Sequence, residues 1–266
     1  MSADILTRAK RIVVKVGTSV LTERGGDQLS PARVHAIAEQ VAAVHRAGRQ
    51  VLVVTSGAIG AGMRILGYRS RPTELSRLQA ASAVGQGRLM HLYESAFAEQ
   101  GCHAAQLLLT KEDLRGRRRL NAKATLKTLL GAGVIPVINE NDSVSVEEIR
   151  VGDNDQLAAH VAVLADAQLL MILSDVDGFR PDPRDPTTIA RVIHAITPAI
   201  TRAAGGSTKA TSTGGMQTKL SAARIGMAHQ IRTLVVNGHD YDVLTGTLLN
   251  GEARGTLFTP FAKDGL

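Results

Sequence analysis

Chemistry in this 266-residue chain would come from two lysines, three glycine-rich turns and two dense clusters of Asn and Asp. In Val13-Val14-Lys15-Val16-Gly17-Thr18-Ser19, a lysine closes an apolar run and a small turn follows. Such a lysine can set an ammonium beside a phosphate while Gly17 lets the backbone approach. The G-x-x-x-x-G-K-[ST] spacing of a Walker A loop is missing, and a solvent-facing lysine at a strand end is the plain alternative. Thr55-Ser56-Gly57-Ala58-Ile59-Gly60-Ala61-Gly62 reads as strand, turn and helix, where free N–H groups and the helix dipole favour an anion. Its order is G-x-x-G-x-G, not the G-x-G-x-x-G of a dinucleotide fold, and no acidic residue closes a second strand for a ribose. A tight helix-packing turn accounts for it as well.

Asn139-Glu140-Asn141-Asp142 and Gly152-Asp153-Asn154-Asp155-Gln156 flank a segment, Ser143 to Val151, that reads as an excursion from the sheet. Carboxylates and amides at this density can bind an α-amino acid, Asp taking its ammonium and Asn its carboxylate. A calcium loop fails for want of Gly at the sixth position, and Leu164 stands where the bidentate Glu belongs. Turn and N-cap chemistry accounts for either cluster alone, but less easily for two at neighbouring strand ends and helix starts.

Ser174-Asp175-Val176-Asp177-Gly178 could contact a nucleotide or bound Mg²⁺, or simply turn the chain. Thr213-Gly214-Gly215-Met216-Gln217-Thr218-Lys219 opens an Ala-rich helix. Its glycines let backbone N–H groups face a phosphate, the dipole adds to them, and Lys219 can reach back over the same anion. The alternative there is a flexible loop with an exposed lysine.

The elements that must position these residues alternate along the chain. Strands are expected at Arg11–Val16, Val51–Thr55, Ala104–Leu109, Val134–Ile138, Leu169–Leu173, Arg191–Ile196 and Arg232–Val236. Helices are expected from Ser30-Pro31 to Gly48, with Ser30 as N-cap, and at Thr73–Gln100, Leu120–Leu130, Asp153–Ala165 and Met216–His229. This alternation specifies an α/β fold, a three-layer αβα sandwich around a mainly parallel central sheet. With no repeat and no linker, the expectation is a single domain, 1–266. In such a fold ligands bind beyond the carboxyl ends of the strands, where the polar clusters fall.

Hydrophobic residues make up 44% of the chain and aromatics 3%, so an aliphatic core buried on both sheet faces is expected. No apolar run reaches the roughly 18 residues of a membrane span, and no signal-peptide h-region follows Met1. Cys102 is the single cysteine, which excludes an internal disulfide and a Cys-built zinc cage. A soluble cytoplasmic protein is expected. The net charge of +7 raises nucleic acid as a partner, but the densest basic run, Arg115 to Arg119, has no interleaved aromatics for bases to stack on. A solvated helix start explains that run. Arg outnumbers Lys 23 to 8, so a Lys in a glycine-rich or strand-end setting draws attention as a compact ammonium. The eight histidines are scattered without partners at catalytic spacing.

In this order VVKVGTSVL, VVTSGAIGAG, AASAVGQGRLM, INENDSVSVEEIRVGDND and TGGMQTKLSAA closely resemble the glutamate 5-kinases, a family within the amino acid kinase superfamily. The resemblance runs from about Arg11 to Phe258. It implies ATP-dependent phosphorylation of the γ-carboxylate of L-glutamate, the first step of proline biosynthesis, with Mg²⁺. Lys15 and Lys219 match the family's phosphate-binding lysines, and Asp155 the carboxylate that orients them. Ser56, Asp142 and Asn154 match its glutamate-binding residues, with Gly57, Asn139, Asn141 and Asp153 close by. Gly17, Ser174, Asp175 and the loop from Thr213 through Gly214, Gly215, Met216, Gln217 and Thr218 to Lys219 match its ATP-binding segments. The acceptor would bind to about residues 1–165 and the nucleotide to about 166–260. The resemblance further implies a homo-oligomer, dimer or tetramer, inhibited by proline and feeding a glutamyl phosphate reductase. Two departures stand out. Gly178-Phe179-Arg180-Pro181 reaches Asp182-Pro183-Arg184 one residue earlier than usual and without the family's tyrosine, leaving open how Phe179 and Arg180 meet the nucleotide. Many bacterial members continue into a PUA-type domain, whereas this sequence stops at Leu266, as a natural short form or as a piece of a longer chain. The alternatives are a sister kinase acting on another small acid, or a basic nucleic-acid-binding protein.

Overall fold

The computed structural model describes residues 3–23, 28–144, 153–182, 184–185, 187–205 and 215–260. Along them run α1 (Ala3–Thr7), β1 (Arg11–Val16), α2 (Thr18–Leu21), α3 (Pro31–Arg46), β2 (Gln50–Val54), α4 (Ala58–Ile65) and α5 (Leu75–Glu99). There follow β3 (Ala104–Leu109), α6 (Gly116–Gly131), β4 (Ile135–Glu140), α7 (Asp153–Leu164), β5 (Leu169–Ser174) and β6 (Val192–Ile193). The chain closes with α8 (Pro198–Gly205), α9 (Met216–Ala228), β7 (Arg232–Asn237), α10 (Val243–Leu248) and β8 (Thr256–Phe258).

Among the described residues the strands form one eight-stranded sheet in the order β3-β4-β2-β1-β5-β7-β8-β6. Every pairing is parallel except β7 with β8. Aliphatic strands suit this arrangement because both faces are covered. Alternate residues of each strand feed two cores. Val14 and Val16 of β1, Val51 and Val53 of β2, and Met171 and Leu173 of β5 pack with α3 and α5 on one face. Val13, Leu52, Val54, Leu170 and Ile172 pack with α7 and α9 on the other.

That alternation decides where each polar strand-end residue points. Lys15 shares the parity of Val13 and is directed to the α7 face. Thr55 continues the parity of Val51 and Val53, and Asn139 that of Ile135 and Val137, so both are directed to the α5 face.

Helices α4 and α5 meet backbone to backbone. A Cβ on Gly62 would lie 1.7 Å from the Ala81 carbonyl oxygen, and one on Gly85 would lie 1.8 Å from that of Ala58. Only glycine permits this approach, and it locks α5 against the helix that begins immediately after Ser56-Gly57.

Most expected elements are present, with shifted ends. Helix α6 begins at Gly116 rather than Leu120, so the Arg117–Arg119 run lies inside its first turns. The strand expected over Arg191–Ile196 is reduced to Val192–Ile193, because it pairs only with the three-residue β8. Ser30 does precede α3, but its side chain makes no cap bond; its backbone N–H donates to the Leu21 carbonyl instead, at 2.8 Å.

Candidate active site

The carboxyl ends of β1, β2, β4 and β5 converge with the N-termini of α7 and α9. The centre of this region is ionic. Lys15 Nζ lies 2.7 Å from Asp155 Oδ1, and Lys219 Nζ lies 3.4 Å from Asp155 Oδ2. Thr218 Oγ1 donates to the same Oδ2 at 2.7 Å, so one carboxylate binds groups from β1 and α9. Lys15 and Lys219 are each 5% exposed and Asp155 is 0% exposed, which removes the solvent-facing alternative for either lysine.

Three buried charges sum to one excess positive charge. Taking ammonium groups out of water is costly, and one carboxylate balances only one of them. Such a site favours an anion. Burial pushes the Lys219 ammonium below its usual range; Asp155 opposes the shift and Lys15 adds to it. Burial pushes the Asp155 carboxyl up, but the charges of Lys15 and Lys219 outweigh it and hold the group below the usual carboxylate value.

The surrounding backbone suits the same anion. Gly17 follows Lys15 directly, its N–H donating to Leu173 O at 3.3 Å, and a Cβ there would approach Lys15 Nζ at 3.6 Å. Gly57 occupies the left-handed region at φ 101° as the N-cap of α4, and Gly215 is the N-cap of α9. Among the described residues neither helix start carries a side-chain cap bond, and in the first turn of α9 the Thr218 N–H donates to Gly215 O at 3.0 Å. Met216 packs against the α7–α9 core, and Gln217 is exposed. Ser174 Oγ donates to Asp175 Oδ1 at 3.1 Å, and the Asp175 charge is felt at Lys219. Thr213 and Gly214 lie outside the described residues.

A second network occupies the α5 face. Asn139 Nδ2 donates to Gln86 Oε1 at 2.8 Å, while its Oδ1 accepts from the Glu140 N–H at 2.9 Å and from Asn154 Nδ2 at 3.1 Å. Asn154 Nδ2 also contacts Ser56 Oγ at 2.9 Å and the Thr55 carbonyl at 3.0 Å. Because the Thr55 carbonyl only accepts, it fixes the Asn154 amide, whose buried Oδ1 has no protein donor among the described residues. Asp142 Oδ2 accepts from Ser82 Oγ at 2.9 Å. Asn141 is held through its backbone, its N–H donating to Leu109 O at 3.0 Å. Asp153 is the first helical residue of α7.

Ser82 and Gln86 lie in the AASAVGQGRLM motif without an assigned role, and Tyr93 lies beyond it. Tyr93 is fully buried on α5, and its hydroxyl pairs with Thr55 Oγ1 at 3.1 Å, steadying the strand end before Ser56. Burial pushes the Tyr93 phenol far up, with the Thr55 bond opposing weakly. The available signal was a row of polar residues on the apolar face of a long helix.

Phe179 is 1% exposed and packs edge-on against Phe258, with ring centroids 6.5 Å apart, so its side chain serves the core. Arg180 lies 3.9 Å from Asp177. Arg115, Arg117 and Arg118 are exposed at the start of α6, where Arg118 pairs with Asp113 at 3.5 Å. No described helix is long and apolar enough to cross a membrane.

A mainly parallel α/β sheet with two lysines on one buried carboxylate at its strand ends presents a cationic site suited to a phosphoryl group. The amino acid kinase family model matches residues 10–237. The chain also resembles the crystal structure of UMP kinase from Bacillus anthracis, with a TM-score of 0.63 over 96% of this chain and 97% of that one. At 14% identity, that likeness speaks for the fold alone. A protein named glutamate 5-kinase from Geobacter sulfurreducens is 47% identical over 264 residues, 98% of this chain and 70% of its own length. Another of that name, from Symbiobacterium thermophilum, is 48% identical over 258 residues, covering 96% of this chain and 97% of its own. The chain belongs to the amino acid kinase family and, within it, to the glutamate 5-kinases.

Proposed function

We infer that this protein transfers the γ-phosphoryl group of ATP to the γ-carboxylate of L-glutamate, giving γ-glutamyl 5-phosphate and ADP, the opening step of proline synthesis. The observation that carries the reading is the buried Lys15–Asp155–Lys219 triad with its excess positive charge. A carboxylate with a pKa of about 4.3 is already ionised at neutral pH, so its oxygen attacks the γ-phosphorus without a general base. Catalysis then rests on in-line positioning and on cations facing the charge of the transferring group. Lys15 and Lys219 supply that charge, and Asp155, itself held by Thr218, keeps the two ammonium groups in place. First-turn N–H groups of α9, with Gly17, Ser174 and Asp175, form the nucleotide side.

Acceptor binding falls to Ser56, Asn139, Asp142 and Asn154. Asn154 Oδ1, without a donor among the described residues, and the Asp142 carboxylate are acceptors that a substrate ammonium would satisfy. Magnesium fits as an ion carried on the nucleotide phosphates: among the described residues no three His, Cys, Asp or Glu side chains form a cage, and Asp155 already holds two lysines. Bound that way it would neutralise phosphate charge. Proline, a compact cyclic amino acid, is the expected inhibitor at the amino-acid subsite, and a reductase the expected consumer of the labile acyl phosphate.

The test is ADP release from ATP and Mg²⁺ with a panel of L-glutamate, N-acetylglutamate, aspartate and UMP. Turnover with glutamate alone supports the reading. Preference for another acceptor would leave a kinase of the same fold with a different substrate.

A further inference from the structure

Ser82 and Gln86 sit one turn apart on α5, so they share a face with Leu78, Leu89 and Tyr93. They are 3% and 9% exposed, polar side chains on the stripe where α5 meets the rest of the protein. A buried hydroxyl or amide is costly unless bonded, and each reaches a residue of the acceptor cluster. Ser82 Oγ donates to Asp142 Oδ2 at 2.9 Å, and Gln86 Oε1 accepts from Asn139 Nδ2 at 2.8 Å. The orientations are unambiguous. The Glu140 N–H can only donate, so it fixes Asn139 Oδ1, which turns Asn139 Nδ2 toward Gln86. Asn139 Oδ1 then accepts from Asn154, whose amide reaches Ser56. The helix cannot slide along its partner, because Gly85 packs its Cα against the Ala58 carbonyl.

We propose that Ser82 and Gln86 are positioning residues for the acceptor site, aiming Asp142 and the Asn139–Asn154 amide pair so that an amino acid is bound in one orientation. This rests on the acceptor-site reading above. Neither side chain is assigned a contact with substrate. Each acts through the residue it holds, so their loss should fall on acceptor affinity rather than on the nucleotide.

The test is steady-state kinetics of Ser82→Ala, Gln86→Met and Gln86→Glu beside the wild type, with the thermal midpoint of each. The wild type is first run on the acid panel, and its preferred acid is used throughout. A preference for an acid other than glutamate would then overturn the substrate reading and still leave this proposal open to judgement. Losing a hydrogen bond to a charged group costs about ten- to a hundredfold in binding, so Ser82→Ala should raise the KM for the acid about tenfold or more. The KM for ATP should stay within about twofold, and kcat should fall far less than the acceptor KM rises. Gln86→Met, which loses a bond between two neutral amides, should raise it by less, about two- to tenfold, and Gln86→Glu, which keeps an acceptor oxygen toward Asn139, should recover most of the affinity. Ser82→Ala removes a single atom, so it decides the matter if Gln86→Met is isolated unfolded. An unchanged acceptor KM, or KM values for both substrates rising together with a fall in thermal midpoint, would overturn the proposal.

Discussion

Asn154 and Asp155 are neighbours on the first turn of α7, yet each belongs to a different network on a different face of the sheet. Asn154 joins Asn139, Ser56 and Thr55 on the α5 side. Asp155 joins Lys15, Thr218 and Lys219 on the α9 side. Successive residues of a helix point about 100° apart, so one turn can serve both. The acceptor carboxylate and the transferring phosphoryl group would therefore be aligned by a single piece of backbone.

Lys219→Ala should lower kcat roughly 10²–10³-fold, the usual cost of removing one preorganised group facing transition-state charge. The KM for glutamate should stay near the wild-type value, because Lys219 lies in the Asp155 network and not in the Asn154 one. Steady-state kinetics decide this; near-native kcat would remove Lys219 from the phosphate site.

Asp155→Asn removes the carboxylate that two buried ammonium groups share. Breaking a buried ion pair in this way costs about 3–5 kcal/mol, and denaturant unfolding should register a loss of that order. Because an anion supplies what the substitution removes, nucleotide should raise the melting midpoint of the variant more than that of the wild type. An equal shift in both would contradict the charge argument.

The lowered Lys219 pKa has a kinetic signature. Its proton leaves below the usual 10.5, driven by burial and by Lys15 against the pull of Asp155, and with it would go the positive charge proposed to face the phosphoryl group. The kcat/KM for ATP, measured at saturating glutamate, should therefore fall on an alkaline limb below pH 10.5. Bound phosphates favour the charged form, so the matching limb of kcat should lie at higher pH. Coincident limbs would contradict this. For Asp155 the sign is opposite: its depressed pKa stabilises the fold above about pH 4, and that stability is lost as pH falls through the folded-state value.

Gly85→Ala places a methyl group 1.8 Å from the Ala58 carbonyl oxygen, too close for either helix to absorb without moving. Overpacking of this kind costs about 1–3 kcal/mol and occasionally more, read as a drop in the denaturant midpoint. An unchanged midpoint would mean that α4 and α5 are less tightly joined than the geometry indicates.

Much of the fold was legible in the sequence because aliphatic strands and amphipathic helices carry their own periods. Arg11–Val16 and Ala104–Leu109 match β1 and β3. What escaped was short or dependent on distant partners. Helices α8 and α10 and the three-residue β8 are too brief to show a period. The basic run Arg115 to Arg119 reads as a solvated helix start and does begin α6, at Gly116; only the expected boundary at Leu120 came late, because Arg is a good helix former without an apolar period to show it. In the site, Lys15 and Lys219 stood out as charged residues beside glycines. Ser82 and Gln86 did not, because their partners lie 60 and 53 residues away and only the folded sheet brings them together.

The most direct test of the central claim is to trap the acyl phosphate with hydroxylamine during turnover with ATP, Mg²⁺ and each candidate acid. The account predicts hydroxamate with L-glutamate and none with N-acetylglutamate or aspartate. ADP release from glutamate without hydroxamate, or hydroxamate from a different acid instead, would contradict it.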